Sequence, residues 1–130
     1  MYNLLDWDLL HKQLQDVMKQ ELTTLRELLS ALREEEETLS QGSFLPPYSR
    51  CSKRNLINKQ LKLIQKERNY LTKSLGKTFT QIVNIHHFNS KNFNALIAKD
   101  EDNAMETFSL RDQIIDLMKI VRQYKEQIKQ

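Results

Sequence analysis

Few side chains in this 130-residue sequence belong to types that do chemistry, and their spacing works against most of it. His86 and His87 are adjacent. On a helix they point about 100° apart, so they chelate one metal ion poorly. His11 lies far from them in sequence. Cys51 is the single cysteine, so it has no intramolecular disulfide partner, and no nucleophile elbow or oxyanion-hole sequence accompanies it. It reads as a residue of a hairpin loop. Glu34, Glu35, Glu36 and Glu37 form an acidic run. A calcium loop would need Asp-rich spacing around a glycine turn, so the run reads as a solvated helical face. Only 2 Gly occur in the chain, too few for a glycine-rich phosphate loop or a dinucleotide fingerprint. The expectation is a protein that is not an enzyme and uses no metal and no cofactor.

The basic residues need a separate hearing. Residues 1–47 carry 4 basic and 9 acidic side chains, a net charge of −5. Residues 48–100 carry 11 and 2, a net +9, and residues 101–130 carry 5 and 6, a net −1. Lys59, Lys62, Lys66, Lys73 and Lys77 could track phosphates. Aromatic stacking platforms are not interleaved with them, and an acidic neighbour would cancel their field. Nucleic-acid binding is therefore a third reading, behind two that rest on helical packing.

The elements that position these residues are helices. With 2 Gly and 2 Pro, the chain lacks the turn residues that sheets require. From 4 to 41, Trp7, Leu10, Leu14, Met18, Leu22, Leu25, Leu29, Leu32 and Leu39 recur in steps of mostly three and four, one face of a long helix. Leu9, Val17 and Leu28 widen it. Residues 42–52, with Pro46 and Pro47, read as a loop. From 53 to 75, Ile57, Leu61, Ile64, Arg68, Leu71 and Leu75 step 4, 3, 4, 3, 4, a heptad row with one polar member. Gly76 is the expected stop. The short loop makes the two helices antiparallel neighbours. That arrangement brings Glu34 to Glu37 near Arg50, Lys53, Arg54 and Lys59, so that charge selects the pairing while the apolar rows supply stability. Residues 77–103 read as irregular or short helices, or as an extension of the second helix. Residues 104–129 form a last helix. The expected fold is all-α: one domain over 1–130, a long antiparallel helical hairpin with a third helix packed alongside in a three-helix, coiled-coil-like bundle.

The last helix has more apolar surface than one packing row needs. Ile114, Ile115, Met118, Val121, Tyr124 and Ile128 are the candidate partner-binding residues. Methionine adapts to varied surfaces, and tyrosine offers a large apolar area with one polar tip. The same residues also serve as core in the plainer reading, and the two roles are compatible. One cysteine, no apolar run after a basic N-terminus, and no stretch of ~18 apolar residues suggest a cytoplasmic protein with no membrane span.

Residues 21–76 resemble the FlgN family of flagellar and type III secretion export chaperones. The stretch ELTTLRELLSALREEEETL, a loop, and then KRNLINKQLKLIQKERNYLTKSLG carries the likeness, through Lys53, Leu56, Ile57, Leu61, Ile64, Glu67, Arg68, Leu71, Leu75 and Gly76. The resemblance implies a cytosolic chaperone in flagellum biogenesis or protein export. It would bind the helical region of a secreted hook–filament junction protein and deliver it to the export apparatus. It further implies that cargo binds toward the C-terminus, here residues 105–130. The rival expectation is a structural coiled-coil subunit that homodimerises as a scaffold. No small-molecule substrate is expected in either case.

Overall fold

The structure is a computed structural model, and it describes residues 4–40, 47–83, 94, 97, 98 and 103–129. Three long helices make the fold: α1 (Leu4–Ser40), α2 (Pro47–Val83) and α3 (Ala104–Lys129). The described residues contain no strand. At ~1.5 Å per residue, α1 and α2 each extend about 55 Å. α1 packs along both of the others, so the fold is the expected helical bundle with α1 as its spine.

The α1–α2 interface is a heptad pairing. On α1, Leu14, Met18, Leu25, Leu28 and Leu32 are buried, at spacings of three and four or their multiples. Facing them on α2 are Ile57, Leu61, Leu71 and Leu75, also buried. Three ion pairs give direction and register: Glu34 with Lys53 at 3.2 Å, Glu35 with Arg54 at 3.5 Å, and Glu21 with Arg68 at 3.2 Å. As the α1 number falls, the α2 number rises, which makes the helices antiparallel. The last two pairs have residue numbers that total 89. The same register sets Leu14 opposite Leu75, Met18 opposite Leu71, Leu28 opposite Leu61 and Leu32 opposite Ile57. The acidic run thus meets basic partners at the hairpin end as the charge pattern suggests, with Glu34 and Glu35 making the contacts.

α3 runs parallel to α1, because its contacts advance in the same direction. Lys19 meets Glu106 at 2.9 Å, and the Arg33 guanidinium lies 5.7 Å from the centre of the Tyr124 ring. The helix begins after Asn103, a residue type that favours helix starts. The Asn103 carbonyl accepts the Thr107 N–H at 3.2 Å. Glu106 in the first turn suits the positive end of the helix dipole. From the connection between α2 and α3, Ile97 is fully buried in the same core, and Asn94 Oδ1 accepts a hydrogen bond from Arg111 Nη1 at 2.6 Å.

Two boundaries and two surface positions differ from the sequence expectation. α2 starts at Pro47, not 53, so the expected loop of 42–52 is helical from Pro47 and includes Cys51. Proline at a first helical position loses an N–H that has no intrahelical acceptor anyway, and its fixed φ suits the helix. α2 also does not stop at Gly76 but runs through it to Val83. Glycine inside a helix costs only about 1 kcal/mol relative to alanine, and Gly76 is buried beside the fully buried Leu75. Burial on that scale outweighs the propensity cost, since one leucine contributes about 1.5–3 kcal/mol. Finally, Leu9 and Leu39, assigned to the apolar face of α1, are 58% and 48% exposed. His86 and His87 lie outside the described residues, and of the segment 84–102 the structure describes Asn94, Ile97 and Ala98, which are helical.

Candidate protein-docking surfaces

α3 divides the six residues picked from the sequence. Ile114 and Val121 are 1% and 5% exposed and belong to the core with α1. Both therefore serve packing against α1, and Val121 also reaches the lining of the groove described next. Met118, Tyr124 and Ile128 are partly buried and pack against the same core. Ile115 alone is clearly open, at 43%. Ile115, Met118 and Arg122 step by three and four, so they share a face of α3.

That face borders a groove. Between α2 and α3 lies a depression of about 210 Å³ whose apolar lining is Leu25 and Leu28 of α1, Leu61 of α2, and Met118 and Val121 of α3. Its rim is basic and polar: Asn58, Lys62 and Gln65 on α2, Arg122 and Lys125 on α3. An adjoining depression continues the basic rim through Asn55 and Lys59. The groove exists because α1 supports both neighbours from one side. A helix laid between α2 and α3, across from α1, would complete a four-helix arrangement. The sequence reading found Met118 but placed the surface on α3 alone. The contribution of α2 follows from register, which the spacing within α3 does not contain.

Two polar clusters lie inside the bundle; Arg68 was legible as the polar member of its row, whereas His11, Gln15, Thr107 and Glu21 were missed as core positions. Toward the start of α3, His11 Nε2 lies 2.6 Å from Thr107 Oγ1, and Gln15 Nε2 donates to Thr107 Oγ1 at 3.0 Å and to the Asn103 carbonyl at 3.2 Å. The Trp7 ring meets His11 edge-on at 5.7 Å. These groups join α1 to α3 and have no opening to a substrate: His11 and Thr107 are 0% and 1% exposed. In the middle of the α1–α2 row, Glu21 is fully buried opposite Arg68. Neither carboxylate oxygen of Glu21 completes a hydrogen bond, nor does Arg68 Nε. Burial pushes the Glu21 carboxyl above its ordinary 4.5, and the nearby Arg68 and Gln65 only partly offset it. The signal for Glu21 was present in the sequence. It sits three after Met18 and four before Leu25, in line with the heptad row.

Among the described residues, no group of three or more His, Cys, Asp or Glu could hold a metal ion. No described helix is long and apolar enough to cross a membrane. No family model, curated protein or solved structure matches this chain.

Proposed function

We propose that this protein is a cytosolic export chaperone that captures a helix of a secreted partner in the groove between α2 and α3. The observation that carries this reading is the groove itself, with an apolar floor supplied by three helices and a basic rim. Such a site needs neither nucleotide nor cofactor: a partner helix lays its apolar face on the floor, while its acidic residues meet Lys62 and Arg122. The resemblance of residues 21–76 to the FlgN family supplies the cargo class. It is the helical region of a hook–filament junction protein or another type III secretion substrate, kept apart from its assembly partners until export.

The test is a calorimetric titration with a synthetic peptide spanning the C-terminal helical region of such a junction protein. The expected result is saturable one-to-one binding, weakened at least tenfold by Ile115→Asp, a substitution at an exposed position that leaves the helical content unchanged. Substituting Val121 is uninformative for docking, since it would disturb the core. A chain that binds no such peptide and instead forms a stable homodimer through the same groove would replace this reading with the scaffold.

A further inference from the structure

α2 carries a second apolar row that neither α1 nor α3 covers. Leu56, Leu63 and Tyr70 are 60%, 66% and 69% exposed. They are seven residues apart, so they form one line along about 21 Å of helix. Scattered exposed leucines are ordinary on any surface. Three at seven-residue spacing on one helix, each more than half exposed, form a narrow apolar row without a partner, one apolar position per heptad, with Gln60 and Glu67 between its members.

The charges beside the row choose the occupant. Lys59, Lys66 and Lys73 follow it at a constant offset of three and are themselves exposed. Three other cations of α2, Lys53, Arg54 and Arg68, pair with Glu34, Glu35 and Glu21 of α1. Lys59, Lys66 and Lys73 make no ion pair among the described residues. With Leu56, Leu63 and Tyr70 as the buried positions of a heptad, the lysines occupy the flanking position where charge selects a partner.

We infer that the outer face of α2 is a second docking surface, distinct from the groove's apolar floor though it shares Lys59 with the rim, for an acidic amphipathic helix with glutamates in heptad register. A second copy of this chain fits poorly. Pairing α2 antiparallel with another α2 sets the lysine row against itself, and like charges so placed oppose association. Neither α1 nor α3 offers a complementary row, since their exposed large apolar residues are Leu9 and Leu39 on the first, and Met105, Ile115 and Ile120 on the second. None of these forms a heptad line of three.

The probe is a synthetic four-heptad peptide with leucine at its core positions and glutamate flanking them, too self-repelling to pair with itself at neutral pH. A lysine-for-glutamate version serves as its counterpart. Fluorescence anisotropy should show micromolar binding of the acidic peptide and at least tenfold weaker binding of the basic one. Leu56→Glu with Leu63→Glu should weaken the acidic peptide at least tenfold at unchanged helical content. Lys59→Glu, Lys66→Glu and Lys73→Glu together should reverse the preference between peptides. Ile115→Asp, on the α3 face beside the groove, should leave the affinity unchanged, so failure here is distinct from failure of the chaperone reading.

Several results would overturn the inference. They are equal binding of both peptides or of neither, loss of binding through Ile115→Asp but not through Leu63→Glu, and a sedimenting dimer dissolved by Leu63→Glu. Tighter binding of single-stranded DNA, indifferent to the leucines, would assign the lysine row to nucleic acid instead.

Discussion

The two interfaces of α1 solve the same problem with different chemistry. Toward α2, one buried position is occupied by a charge: Glu21 at 0% exposure, facing Arg68, with both its oxygens lacking a completed hydrogen bond. Toward α3, the buried polar residues His11 and Gln15 lie 2.6 and 3.0 Å from Thr107 Oγ1. A buried cluster whose groups bond to each other repays its desolvation; an ion pair that closes no hydrogen bond on the buried side does not. The α1–α2 pairing is therefore held by its leucines, and its central charge discriminates among registers at a cost in stability. The α1–α3 pairing joins cohesion and alignment in one cluster.

The largest effect expected from this contrast comes from removing one charge. Arg68→Leu leaves Glu21 ionised and unopposed in the interior, and should lower stability by about 3–5 kcal/mol at pH 8. Because the folded-state pKa of Glu21 is raised above 4.5, the folded chain holds this proton more tightly than the unfolded chain does. Its contribution to stability is thus fully present below pH 4.5 and is lost as pH rises through the raised folded-state value. Urea unfolding at pH 8 and pH 5 should show the Arg68→Leu deficit shrinking on acidification. A deficit equal at both values would place the loss in packing of the arginine stem.

Replacing both partners reverses the sign. Glu21→Leu with Arg68→Leu should be neutral or stabilising by up to about 4 kcal/mol, and the Glu21 share of the pH dependence should vanish from the unfolding curves. The smallest of the three effects is expected at the other interface. Thr107→Val removes the oxygen shared by His11 and Gln15, and should cost about 1–3 kcal/mol. If thermal and urea unfolding instead ranked Thr107→Val as more damaging than Arg68→Leu, the comparison would fail, and the hydrogen-bonded cluster at Thr107 would be the chief determinant of the fold.

Helix identity was legible because leucine periodicity over long stretches has one interpretation. The antiparallel hairpin was legible because the acidic run and the basic segment agree with it, and Arg68 stood out as the polar member of its row. The ends of α2 were not legible. Pro47 and Gly76 act as breakers by local propensity, yet one sits where its missing donor is harmless and the other is buried beside Leu75. The α3 surface was half legible. Spacing identified Ile114, Ile115, Met118 and Val121 as apolar, but which of them face α1 depends on the rotation of α3, a property of packing. For the same reason the exposed row Leu56, Leu63 and Tyr70 passed as ordinary heptad content.

The most direct test of the central claim is to map where a bound helix sits, by following backbone amide shifts during titration with the junction-protein peptide. The account predicts perturbations concentrated on Asn58 to Gln65 of α2 and Met118 to Lys125 of α3, the two walls of the groove. Perturbations confined to the outer face of α1, or none at saturating peptide, would contradict it.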